Sequence, residues 1–129
     1  PNRNMIMASI AIGWAVNSKF DEVAMGVHAG DHAIYPDCRP EFIEGLRNLA
    51  RIANYWAVYV TTPYLFVDKG DIVKFGKRLN VDYSLTWTCY KGEGMPCRNC
   101  GACQDRAEAF GKAEMVDPLL LLTKQRKEM

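Results

Sequence analysis

The chain has 129 residues, 49% of them hydrophobic and 24% charged, and a formal net charge of +1. That make-up is ordinary for a soluble globular protein, with length enough for one domain and one modest core. The balanced charge argues neither for nor against nucleic acid, no apolar run approaches the ~20 residues of a membrane-spanning helix, and no signal-peptide pattern opens the sequence, so a reducing, cytoplasmic setting is expected.

In chain order, Arg3 to Val16 reads as a helix. Met5, Ile6, Ser9, Ile10, Gly13 and Trp14 supply one face, and Met7, Ile12 and Val16 fill much of the rest. A helix apolar nearly all round is expected to lie buried between layers. Glu22 to Val27 then reads as a short buried strand. The polar loop His28 to Pro40 follows at the strand's carboxyl end, where open α/β sheets bind ligands. Pro40 suits the first turn of a helix, and Phe42, Ile43, Leu46, Leu49, Ala50 and Ala53 recur at helical spacing after it.

Trp56 to Thr61 reads as a second strand. Asp68 can cap a helix running through Leu79, with Ile72, Val73, Phe75 and Leu79 inward and Asp71 where the helix dipole favours a carboxylate. Leu85 to Thr88 leads into a cysteine-rich stretch, and Gly101 to Glu114 reads as a closing helix. The tail holds Leu119 to Leu122, expected to pack on the body or on a partner chain, and then the basic run Lys124-Gln125-Arg126-Lys127. The alternation predicts an α/β fold with a parallel sheet over residues 1–85, a cysteine-bearing segment over 86–118 and a tail over 119–129. Two strands make a poor sheet, so further strands are expected from elsewhere.

Four of the 5 cysteines, Cys89, Cys97, Cys100 and Cys103, fall in one short stretch. Two C-x2-C steps share Cys100, and Cys89 lies across a loop containing Gly92, Gly94 and Pro96. Four thiolates converging on one ion give the closed tetrahedral site of structural zinc. An iron–sulfur cluster is the alternative, although its usual fourth Cys followed by Pro is replaced by Gln104-Asp105-Arg106. Disulfides would need an oxidising compartment, and unrelated buried thiols are the bland reading. Cys38 stands apart as a small core or pocket-wall residue.

Several segments together resemble the 7-cyano-7-deazaguanine synthase family of queuosine and archaeosine biosynthesis. They are Pro1 to Asn4, the long stretch Gly26 to Phe42, Thr62-Pro63-Tyr64-Leu65, Tyr83 to Tyr90 and the cysteine triplet. The resemblance runs from Pro1 to about Pro118. It implies a fold like that of the adenine nucleotide α-hydrolases, with a pyrophosphate loop for ATP. It implies an ATP-dependent ligase that converts 7-carboxy-7-deazaguanine and ammonia into the nitrile, through adenylation, amidation and dehydration. One structural zinc is implied on Cys89, Cys97, Cys100 and Cys103, with magnesium and ATP in the complete enzyme. The family's Ser-Gly-Gly-x-Asp-Ser loop precedes the segment matching Pro1, and no such loop occurs in this sequence. The chain is therefore expected to be a carboxyl-terminal part that does not turn over ATP by itself.

An adenylating site must bind a purine-like base, hold a carboxylate near a phosphate and neutralise charge. Asp31 and Asp37 are hard oxygen ligands for magnesium, or acceptors for the base's exocyclic amine. His32 and His28 can shuttle protons or bind phosphate. Arg39 can hold a carboxylate or phosphate bidentately, Arg3 and Asn4 sit at a helix amino terminus, and Tyr35 and Trp87 can stack on the deazapurine. These groups are expected in one cleft. Their bland readings are turn caps, a solvated helix start and, for Trp87, core. The competing function is a non-catalytic zinc-binding interaction module, for instance one for nucleic acid. The lack of interleaved surface aromatics weighs against nucleic acid, and a homodimer remains open.

Overall fold

The computed structural model of the protein describes residues 2–125. Pro1 and the end of the basic tail, Arg126 and Lys127, lie outside the described residues. The chain forms two compact units that meet in sequence at Asp68 and Lys69.

The first unit runs α1 (Arg3–Asn17), β1 (Glu22–Ala24), α2 (Pro40–Ile52) and β2 (Tyr59–Thr61), with short 3-10 turns at Ala29–Asp31 and Pro36–Cys38 between β1 and α2. The strands pair in parallel, Glu22 opposite Tyr59, Val23 opposite Val60 and Ala24 opposite Thr61. Parallel neighbours need a crossover, and α2 supplies it. Its apolar stripe buries Ile43, Leu46 and Ala50. Leu46 and Ala50 join Ala8, Ile12 and Ala15 of α1 with Val58 and Val60, and Ile43 joins Val27, Cys38 and Leu65. Arg47 ties α2 to the end of β2, donating from Nε to the Val60 carbonyl at 3.0 Å and from Nη2 to Thr62 Oγ1 at 2.9 Å.

Three expectations are corrected here. Helix α1 is not buried on all sides: Ala8, Ile12 and Ala15 face the core, while Ile6, Met7, Ile10 and Trp14 are each more than half exposed. The sheet has two strands, so only one side of α1 finds a partner among the described residues. The first strand ends at Ala24 and is not buried, with Glu22 and Ala24 exposed, because it is paired along one edge only. The second strand begins at Tyr59, and Trp56 lies outside it and exposed. Arg39 precedes α2 without a side-chain cap, and Pro40 opens the helix.

The second unit runs α3 (Lys69–Arg78), a 3-10 turn at Tyr83–Leu85, the cysteine loop, α4 (Gly101–Lys112) and α5 (Pro118–Gln125). Its core joins Val73 to Ala109, Phe110 and Ala113. Tyr83 packs edge-on against Phe110, with ring centroids 5.2 Å apart, and its hydroxyl donates to the Val73 carbonyl at 3.0 Å. That approach requires glycine at 76, where a Cβ would overlap the Tyr83 hydroxyl. Helix α5 opens after Asp117, whose carboxylate accepts the Leu119 N–H at 3.1 Å, and it packs on the Tyr83–Leu85 turn. Leu119 and Leu120 are half-buried and Leu121 is exposed. No helix among the described residues is long and apolar enough to cross a membrane.

Candidate functional site

In the first unit, a cavity of about 330 Å³ opens between α1 and the end of β1. Apolar walls come from Met7, Ala8 and Ala11 on one side and Val23 to Val27 on the other, with Cys38 beside them; Arg3, Asn4 and Asp31 bring the polar groups. Apolar slots with a few directed polar groups at the carboxyl ends of parallel strands are where open α/β folds bind small ligands. Arg3 stands in the first turn of α1, where the helix dipole already favours an anion.

The loop residues are held in distinct ways. Asp37 is joined to α1 across 33 residues of sequence: its Oδ2 accepts the Asn4 backbone N–H at 2.9 Å, and its carbonyl accepts Asn4 Nδ2 at 2.9 Å. The carboxylate therefore fills the capping place that Asn2 leaves, because Asn2 is left-handed and makes no side-chain cap. Asn4 Nδ2 also donates to Cys38 Sγ at 3.2 Å. Burial raises the Cys38 thiol above its ordinary pKa, and the Asp31 and Asp37 charges add to that, so the wall cysteine stays protonated. His28 is buried, with Nε2 3.3 Å from Asp31 Oδ2. Arg39 Nε donates to the His32 carbonyl at 2.8 Å, and His32 Nε2 is buried with no hydrogen-bond partner among the described residues. Tyr35 is half exposed. Thus Arg3, Asn4 and Asp31 line the cavity, while His28, His32, Tyr35, Asp37 and Arg39 are not lining residues.

In the second unit, the sulfurs of Cys89, Cys97, Cys100 and Cys103 lie within 4.8 Å of one another. A tetrahedral ion with metal–sulfur bonds of about 2.3 Å sets sulfurs about 3.8 Å apart, so a small closure seats one ion. An iron–sulfur cluster puts several further atoms between its cysteines and needs a wider cage. None of the four is joined in a disulfide.

The loop builds this cage from backbone. The N–H groups of Lys91, Gly92 and Cys97 point at Cys89 Sγ at 3.4, 3.0 and 3.3 Å. Those donors, led by Cys97, bring the Cys89 thiol down to about 6. Cys100 is also lowered, chiefly by the Tyr90 backbone N–H, whereas burial pushes Cys103 up to about 12. Gly92 is irreplaceable sterically, since a Cβ there would overlap the Met95 carbonyl. Arg98 and Gly94 take left-handed φ of 61° and 72° to turn the loop. Cys100 then stands at the amino-terminal cap position of α4, without a side-chain cap bond, and Cys103 sits in its first turn. Trp87 belongs to this unit, its indole N–H donating to the Cys89 carbonyl at 2.8 Å.

Sequence reasoning placed Gly92 in the loop without its steric role, and it missed Arg106 and Asp117, a buried pair in this unit with Nε to Oδ2 at 2.6 Å. The signal for Asp117 was the Asp-Pro step that starts α5. Arg106 follows Cys103 by one helical turn, a spacing that carries no meaning until its partners are known.

The family described as queuosine biosynthesis protein QueC matches residues 1–114. Three curated relatives, each matched over 119 residues, are named 7-cyano-7-deazaguanine synthase. The chain is 54% identical to that of Pseudoalteromonas translucida, 51% to that of Pseudoalteromonas atlantica and 50% to synthase 1 of Colwellia psychrerythraea. Each match covers 92% of this chain and 55% of the relative, so the chain spans about half the length of the curated relatives it matches. With that match over nearly its whole length, the chain belongs to the queuosine biosynthesis protein QueC family.

Proposed function

We propose that the chain carries substrate-site and zinc-binding segments of a 7-cyano-7-deazaguanine synthase, a ligase that makes the nitrile from 7-carboxy-7-deazaguanine and ammonia with ATP. The single observation that supports this most is the cavity at the carboxyl end of β1, with Arg3, Asn4 and Asp31 around apolar walls. The flat base fits between the α1 and β1 walls. Asp31 accepts its exocyclic amine, or joins Asp37 in holding the magnesium of the complete protein. Arg3, at a helix amino terminus, neutralises the substrate carboxylate or a phosphate. The buried Nε2 of His32 costs about 1–3 kcal/mol while unpartnered, a reason to assign it a ligand contact or a proton-carrying role. His28, Tyr35 and Arg39, on the same loop as Asp31, are the further substrate contacts we assign in the complete protein.

Zinc is the ion we assign to the four cysteines. Bound there it is structural: four thiolates leave no open coordination position for chemistry. ATP, ammonia and the cytoplasmic setting belong to this same reading, as properties of the whole protein. The test is Asp31→Asn in a full-length family protein carrying these residues. Nitrile formation should fall about 100-fold in kcat/KM, equal to about 2.7 kcal/mol, with the fold retained. Full activity in that variant sinks the assignment of this cavity.

A further inference from the structure

Arg106 has no part in the site as described, yet its surroundings point at the metal centre. Its side chain is 9% exposed. A guanidinium has five N–H donors, and every one of them has an acceptor. Nε and Nη2 go to the two Asp117 oxygens at 2.6 and 2.8 Å, Nη1 goes to the Thr86 carbonyl and hydroxyl at 3.1 and 2.9 Å, and Nη2 also goes to the Tyr83 carbonyl at 3.1 Å. Asp117 alone satisfies the charge. The other three bonds do something else: they grip the segment that delivers Cys89.

The geometry forms a two-rung ladder. Cys103 and Arg106 stand one turn apart on α4, so they share a face. Thr86 and Cys89 are three residues apart on the segment that crosses that face. Thr86 is bonded to Arg106, and the Cys89 sulfur lies among those of Cys97, Cys100 and Cys103. The indole of Trp87 closes on the Cys89 carbonyl, which takes slack out of the residues between the rungs. We propose that Arg106 is a positioning residue for the metal centre: it sets the register of residues 86–89 on α4, so that the Cys89 sulfur meets the other three. The proposal rests on reading the four cysteines as metal ligands. A group that orients a ligand is worth 10–100-fold in metal affinity by the general behaviour of such outer contacts.

The experiment uses the 129-residue chain, with zinc affinity from competition against a chromophoric chelator and the absorption of the cobalt(II)-saturated protein. Arg106→Lys keeps the charge beside Asp117 but cannot reach Thr86 and Tyr83 together. It should bind zinc about 10–100-fold more weakly, and its sulfur-to-cobalt charge-transfer band should lose about a quarter of its intensity as one of four sulfurs drops out. Thr86→Val removes one acceptor and should weaken zinc several-fold. Val73→Ala thins the same unit's core without removing any of the clamp's hydrogen bonds and should keep the wild-type cobalt spectrum. Wild-type affinity and spectrum in a folded Arg106→Lys chain overturn the proposal. If Arg106→Lys does not fold, Thr86→Val decides, and an unchanged affinity there overturns it equally. A wild-type chain that takes up neither ion is a separate result, which removes the metal-centre reading itself.

Discussion

The cavity of the first unit and the cysteine cage of the second are built in opposite ways. The cage draws four ligands from one short loop and the start of one helix, and backbone N–H groups shape it. The cavity draws its walls from α1, from β1 and the residues after it, and from a turn near residue 38, spread along the chain from Arg3 to Cys38. A site made from one loop depends on the loop's turns. A site made from distant elements depends on the bonds that join them, here Asn4 to Asp37 and Cys38.

The sharpest way to break that contrast is to remove the ion. Structural zinc contributes on the order of 10 kcal/mol to folding. Chelation, Cys100→Ser or Cys103→Ser should therefore unfold the second unit, seen as lost helical circular dichroism and insolubility. Cys38→Ser should leave the protein folded, because Cys38 is a wall residue and not a ligand.

Single-residue packing comes next. Ile43 is fully buried, and Ile43→Ala should cost about 2–5 kcal/mol in denaturant melts, without any change in zinc content. Gly92→Ala should do the reverse: it forces the loop off the Met95 carbonyl and should lower zinc occupancy, measured by metal analysis, more than it disturbs the first unit.

Proton competition sharpens the contrast further. Metal binds thiolates, so any thiol protonated at a given pH must release its proton. Cys103, pushed up to about 12, is a thiol at neutral pH, and Cys89, brought down to about 6, is largely a thiolate there. Zinc affinity should thus fall with falling pH by at least about one decade per unit near neutrality, and more steeply below about 6, where Cys89 also takes a proton. Chelator competition across that range reads the slope directly, and a pH-independent affinity contradicts it.

The smallest effect belongs to the bond between distant elements. Asp37→Ala removes the acceptor at the α1 amino terminus and should lower stability by about 1 kcal/mol, whereas Asp37→Asn keeps an oxygen acceptor and should lose less than half of that. Thermal melts of the two variants compare them.

The four-cysteine cage was legible in the sequence because the spacing of cysteines within one loop is a local property. The helices were legible for the same reason: Arg3, Pro40, Lys69 and Gly101 open them close to where periodicity and capping put them. The strands were overextended, since apolar runs such as Glu22 to Val27 do not say how many neighbours they will have. Asp37 read as a pocket carboxylate on composition, while its bond to Asn4 is set by tertiary structure. Arg106 was invisible because each of its partners is a backbone carbonyl, a hydroxyl or an acid at least 11 residues away.

The cap on α1 also makes that helix a messenger. An amide bonded to a residue 33 positions away exchanges with solvent only when both pieces part. The Asn4 N–H is thus a built-in clock for the loop: its hydrogen-exchange rate reports how often the turn at Pro36–Cys38 leaves the helix. A ligand that settles in the cavity should slow that clock before any global melting changes.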